Sequence, residues 1–199
     1  MLILGINGSP NRNGNTSFLL RESLAAAAEM GAETQLLQVA EIIAELDSPF
    51  CELCTSPCDG SCGEGKRLGE AFEIMRRADG IIVGSPVYFG TVSGQLKAFW
   101  DKTRVLRREK ALLNVVGGGI TVAGARFGGQ ETALRAIHDI MLVHGMIVVG
   151  DGLREFDCGH HGACAQQPAG EDDNGRRRAR ILGRRVVQVA GVTADLRLR

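Results

Sequence analysis

The run Gly80-Ile81-Ile82-Val83-Gly84 is apolar at every position. A strand with one face in water alternates apolar and polar side chains, so an unbroken apolar run needs cover on both faces. That is the signature of a parallel sheet between two helical layers. Residues 2–6 read the same way, and strands follow at 34–39, 115–123 and 146–149. Helical periodicity fills the intervals. In 16–30, Phe18, Leu19, Leu20, Leu24, Ala25 and Ala28 make an apolar face that Gly31 ends. Residues 69–78 are helical. In 93–106, Leu96, Phe99, Trp100 and Thr103 share one side. In 131–144, Leu134, Ile137, Met141 and Leu142 point inward. In 171–190, Ala179, Leu182, Val186 and Val189 form the stripe. The alternation predicts a doubly wound α/β sheet of five parallel strands with helices on both faces. A length of 199 residues suits a single domain, 1–199. Residues 47–65 and 151–170 read as loops. The first has no period and is too long for a mere connector, which points to function.

Charge narrows the partners. Lys+Arg and Asp+Glu are both 23, so no basic excess invites nucleic acid or an anionic membrane. No apolar stretch nears the roughly 20 residues of a membrane span. The start, Met1-Leu2-Ile3-Leu4-Gly5, lacks a charged-then-apolar leader. A cytoplasmic protein is expected, and in a reducing compartment clustered cysteines point to metal or redox chemistry over structural disulfides.

In such sheets ligands bind beyond the carboxyl ends of the strands. After the first strand comes Gly8-Ser9-Pro10-Asn11-Arg12-Asn13-Gly14-Asn15-Thr16-Ser17. Ser9, Asn11, Asn15, Thr16 and Ser17 offer short polar side chains, and a helix N-terminus adds amides and its dipole. This is a phosphate cradle without a lysine. No Gly-Lys-Ser/Thr ends it, so it is not a Walker loop, and the Gly-x-Gly-x-x-Gly spacing is absent. Its plainer reading is a polar loop with a helix cap. After the third strand, Pro86, Val87, Tyr88, Phe89 and Gly90 follow Ser85, and Tyr88 is the only tyrosine. Aromatics there suit a flat ring ligand, or else simply cap the core.

The sharpest local signal is Cys51-x2-Cys54-x3-Cys58-x3-Cys62. Four thiolates on one glycine-bearing loop can close around a [4Fe–4S] cluster or zinc, or stay unligated. Cys158-Gly159-His160-His161-Gly162-Ala163-Cys164 could bind metal on paper, but a mobile active-site loop is the preferred reading. Arg176, Arg177, Arg178, Arg180, Arg184 and Arg185 read as a solvated helix face. His138 and His144 read as structural.

Together these pieces resemble the flavodoxin-like NAD(P)H-dependent FMN reductases, and more closely their iron–sulfur flavoproteins. The resemblance is carried by Gly8-Ser9-Pro10 with Gly14-Asn15-Thr16, by the run from Ala78 to Gly90 and by Gln95-Leu96-Lys97-Ala98-Phe99. It continues in Gly128-Gly129-Gln130-Glu131-Thr132, His144-Gly145-Met146-Ile147-Val148-Val149-Gly150, Pro168-Ala169-Gly170-Glu171-Asp172 and Leu182-Gly183-Arg184-Arg185. It implies a flavodoxin-like fold and an FMN site. Ser9, Asn11, Asn15, Thr16 and Ser17 would bind the phosphate, and Pro86, Val87, Tyr88, Phe89 and Gly90 would line the ring. Ala123, Gly124, Ala125, Arg126, Phe127 and Gly128 would meet its other edge, with Tyr88 and Arg126 as possible aids to FMN-centred chemistry. It also implies cluster ligands at Cys51, Cys54, Cys58 and Cys62, NAD(P)H as a possible co-substrate, and a small-molecule or protein redox partner. A homodimer or homotetramer is implied, with the aromatic and cysteine loops near a subunit interface. The alternatives are an NAD(P)H-dependent FMN or quinone reductase without a cluster, a flavin dehydrogenase acting on a biosynthetic ring compound, and a flavodoxin-type electron carrier.

Overall fold

A computed structural model describes residues 1–197. The chain runs β1 (Leu2–Asn7), α1 (Asn15–Ala28), β2 (Glu33–Gln38), α2 (Val39–Ala44), α3 (Arg67–Arg77), β3 (Gly80–Pro86), α4 (Gly94–Asp101), α5 (Arg104–Glu109), β4 (Val116–Ala123), α6 (Gln130–Val143), β5 (Ile147–Val148), β6 (Ala163–Gln166) and α7 (Asp173–Val192). The sheet order is β2-β1-β3-β4-β5, parallel throughout. That is the flavodoxin-like order. It makes β1, β3 and β4 neighbours, so their following loops meet at one carboxyl edge.

Apolar runs in β1, β3 and β4 are buried along almost their whole length, because each face of the sheet has a helical cover. Leu19, Leu20 and Leu24 of α1 join Ala179, Leu182 and Val186 of α7 on one face. Leu68, Phe72 and Met75 of α3, Leu96 and Phe99 of α4, and Ile137 and Met141 of α6 fill the other. The glycines of β4 bring these layers close. A methyl group on Gly118 would lie 2.9 Å from Leu182 Cδ1, and one on Gly117 would lie 2.7 Å from Met141 Sδ. No helix among the described residues is long and apolar enough to cross a membrane.

Four expectations need correction. The helix expected over 93–106 is two helices. Thr103 Oγ1 donates to the Trp100 carbonyl at 2.7 Å, a bond that competes with helix continuation. With that proton spent, His144 Nε2 donates to Thr103 Oγ1 at 2.9 Å. His144 is structural as expected, edge-on to Trp100. Burial, with the Arg107 charge as a lesser cause, lowers its pKa to about 4.

The stretch 151–170 is not all loop. The fifth position of the sheet is filled by two segments, β5 beside Val116–Gly117 and β6 beside Ile120–Ala123. Residues 149–162 interrupt them, and this insert is not loose. Arg178 Nη1 meets the fully buried carboxylate of Asp151 at 2.7 Å, and its Nη2 meets Asp157 at 2.9 Å. His160 N donates to the other Asp151 oxygen at 2.6 Å.

The arginine face of α7 is therefore only partly solvated. Arg178 is buried, Arg180 and Arg184 bind Glu29, and Arg177 stacks on Phe156 with its guanidinium 3.6 Å from the ring centre. Finally, some residues expected on inward faces point out: Leu142 lies one position past the Ile137 and Met141 stripe, and in α1 Ala25 and Ala28 are exposed while Ala26 and Ala27 are buried.

Candidate active site

The loop after β1 is shaped by its own short side chains. Asn7 Oδ1 accepts from Ser9 N, Ser9 Oγ from Asn11 N and Asn11 Oδ1 from Asn13 N, each at 3.1 Å. Each side-chain acceptor is thus used inside the loop, while the Ser9 hydroxyl and the Asn11 amide nitrogen keep protons to donate outward. At the N-terminus of α1, Gly14 is the cap and no side chain caps the helix. Its first amides have no partner within the helix, and the dipole there favours an anion. Asn15 is partly committed elsewhere, since its Oδ1 accepts from Ala169 N at 2.8 Å. Thr16 and Ser17 lie buried, and Ser17 Oγ has no hydrogen-bond partner among the described residues.

The loop after β3 is locked against the first. Gly8 N donates to Gly84 O at 2.8 Å, and Ser93 Oγ donates to Gly8 O at 2.5 Å while accepting from Leu96 N. A side chain at Gly8 would stand 2.7 Å from Leu96 Cβ, so only glycine permits this closeness. Beyond it, Tyr88 and Thr91 exchange backbone bonds of 3.0 and 3.2 Å around a tight turn. Both central residues, Phe89 and Gly90, have positive φ, at 49° and 77°. Phenylalanine rarely adopts that conformation, and its cost is characteristic of functional turns. The ring of Phe89 is fully exposed and Tyr88 is half-exposed, so neither caps the core.

The loop after β4 is held by a residue sequence reasoning missed. Gln130, the first residue of α6, accepts from Gly128 N at 2.9 Å and donates to Ala125 O at 2.7 Å. Its sequence signal was its place directly after Gly128-Gly129. Thr132 Oγ1 donates to Gly90 O at 2.7 Å and so ties this loop to the aromatic turn. Arg126 and Phe127 project outward and line an open cleft of about 1010 Å³ with Gln130, Cys164, Gln167 and Pro168. Cys164 is no nucleophile there. Burial pushes its thiol up to about 11, and Thr121 Oγ1 sits 3.6 Å away. The structure thus brings the three predicted loops to one edge, although the cleft itself is lined by neither Ser9 nor Tyr88.

Cys51, Cys54, Cys58 and Cys62 line a common cavity of about 180 Å³, together with Phe50, Lys102 and Arg104. That is room for several atoms, many times the space of one water. Burial pushes the Cys62 thiol up, Lys102 pulls it down, and the other three cysteines push it further up. Cys62 therefore feels the other three thiols. The four are not drawn onto one point: among the described residues no three His, Cys, Asp or Glu side chains stand as a ready single-ion site. That holds equally for Cys158, His160, His161 and Cys164. His161 stacks on His138 instead. Lys102 had no sequence signal, because it lay inside the continuous helix expected over 93–106.

Residues 1–161 match the family model described as NADPH-dependent FMN reductase. The chain is 44% identical over 191 residues to an iron–sulfur flavoprotein of Methanocaldococcus jannaschii, covering 95% of this chain and 97% of that one. It is 41% identical over 177 residues to an iron–sulfur flavoprotein of Methanosarcina thermophila, covering 88% and 87%. A WrbA-like flavodoxin from Agrobacterium tumefaciens superposes with a TM-score of 0.66 over 96% of this chain and 97% of that one, at 20% identity. This last likeness speaks for the fold alone.

Proposed function

The chain belongs to the NADPH-dependent FMN reductase family and is an iron–sulfur flavoprotein oxidoreductase; from that premise we propose that FMN binds at the carboxyl edge and a [4Fe–4S] cluster in the cysteine cavity. The observation that carries the reading is the convergence of all four loop cysteines on one cavity with room for several atoms. Zinc would need four thiolates about 2.3 Å from one ion, and among the described residues the thiols do not gather as a single-ion site.

The residues fit both groups. Uncapped amides of α1, with donors kept free on Ser9 and Asn11, suit a phosphate monoester. The outward Tyr88–Phe89 turn, with the backbone of residues 123–128 across from it, suits a flat ring. Cys51, Cys54, Cys58 and Cys62 are a four-thiolate donor set of the kind such clusters take. When bound, FMN supplies hydride and single-electron exchange, and the cluster supplies one-electron transfer.

This chain's own residues bind, orient and shield. Ser93 fixes the first two loops to each other through one hydroxyl, so the phosphate cradle cannot drift from the aromatic turn. Gln130 fixes the third loop, and Arg126 adds positive charge near the ring's expected edge. No side chain serves as a nucleophile.

We further propose NAD(P)H as hydride donor and a homodimer or homotetramer. The exposed Phe89, Phe127, Phe50 and Leu53 support the assembly, since apolar surface of this kind favours association. Light scattering on cofactor-loaded protein giving a monomer mass would contradict it. The central test is anaerobic purification followed by absorption and EPR spectra with iron and acid-labile sulfide assays. FMN with iron and sulfide is expected; FMN without them would refute the cluster assignment.

A further inference from the structure

We propose that Lys102, with Arg104 beside it, is the potential-setting cation of the cysteine cavity, its buried charge making a centre held by Cys51, Cys54, Cys58 and Cys62 easier to reduce. The inference rests on the reading of that cavity as a cluster site.

Lysine is almost never fully buried unless paired with an opposite charge. Lys102 is 6% exposed, and its one side-chain hydrogen bond goes to a neutral group, the Phe50 carbonyl, at 2.8 Å. No carboxylate pairs with it among the described residues. Arg104 lines the same cavity, and its buried Nη1 has no hydrogen-bond partner there. A third cation at the cavity, Lys66, is instead spent on Asp47 at 3.0 Å. The other carboxylate at the wall, Glu52, is exposed.

The cavity therefore presents two uncompensated cations to four thiols. A buried cation is costly unless something anionic answers it, and a four-thiolate centre does. Reduction adds one more negative charge to that centre, so a nearby cation sheltered from water favours the reduced form.

Lys102 caps α4 in right-handed helical conformation, and its side chain reaches back across 52 residues of sequence to the cysteine loop.

A purely structural role would be to satisfy the Phe50 carbonyl. Two substitutions separate the roles. Lys102→Gln keeps a donor for that carbonyl and removes the charge, and Lys102→Arg keeps the charge.

Iron and sulfide are assayed first on anaerobically reconstituted protein, and the cluster's EPR signal is then followed through a potentiometric titration. K102R should titrate with the wild type. K102Q should be at least tenfold harder to reduce, which for one electron is about 59 mV more negative. R104Q should shift the same way by less. The flavin's own midpoint should stay in place in all three.

A loaded K102Q that titrates with the wild type overturns the inference and leaves the cluster site standing. Wild-type protein that takes up no iron and sulfide overturns both. If K102Q fails to load, R104Q decides: a negative shift upholds the inference, and an unchanged midpoint overturns it.

Discussion

The cysteine loop and the insert between β5 and β6 are both irregular stretches that carry cysteine, and they are held in opposite ways. The insert is closed by the protein itself. Asp151 is fully buried, Arg178 spans it and Asp157, and Arg177 covers Phe156. The cysteine loop has no buried ion pair of its own among the described residues. Its bonds are exposed ones: Asp59 gathers Thr55 and Ser61, and Lys66 meets Asp47 at the surface. What lies against it instead is a buried, uncompensated cation, Lys102, beside half-buried thiols and the exposed Cys54. One loop carries its own latch, and the other leaves closure to a ligand.

The largest effect that could break this contrast is chemical. Replacing both Cys54 and Cys58 with serine should abolish nearly all iron and sulfide while FMN content stays near wild type, read by metal analysis and flavin absorbance. Retained iron would mean the loop is not the cluster site.

The next effect is energetic and falls on the other loop. Arg178→Met strands a buried carboxylate and should cost about 3–5 kcal/mol in denaturant unfolding, with cluster content unchanged. A neutral result would deny the insert its latch.

Metal removal gives a smaller, local effect. Chelating the iron should open peptide bonds between 51 and 62 to protease and leave 149–162 resistant, read by mass spectrometry of the fragments. Equal cutting in both loops would erase the distinction.

The smallest effect falls beside the cysteine loop, where His144 borders a groove shared with Cys51 and Leu53. Its folded pKa, about 4, lies below the ordinary 6.5, so the unfolded chain takes up the proton first. The His144 contribution to stability should be complete above pH 6.5, shrink as pH falls toward 4, and change no further below that. His144→Gln should remove this part of the slope in unfolding measured against pH.

The carboxyl-edge site was largely legible because it is made of backbone. Apolar runs fix β1, β3 and β4 beside one another, and the loops after them must then meet. Even so, the roles of Asn15 and Ser17 were not legible. Whether an amide side chain faces ligand or holds Ala169 depends on a contact 154 residues away. The cysteine spacing announced a ligand set, and its surroundings stayed hidden. Helical periodicity ran straight through Lys102, and nothing near it in sequence reveals that the Phe50 carbonyl, 52 residues away, takes its ammonium. Likewise Arg178 read as one more solvated arginine, because nothing near it in sequence reveals that Asp151 lies beneath.

The 52 residues that separate Phe50 from Lys102 also order events in the life of the chain. The first cysteine leaves the ribosome about fifty residues before Lys102 and Arg104. Between them lie α3, β3 and α4, and β3 must find β1 before the cavity is complete. Four thiols alone could seize any thiophilic metal as they emerge. Beside the two cations they form a receptor shaped for an anionic, multi-atom guest. A cavity completed in this order is expected to take its cluster as folded apoprotein, read by comparing iron and sulfide uptake before and after refolding.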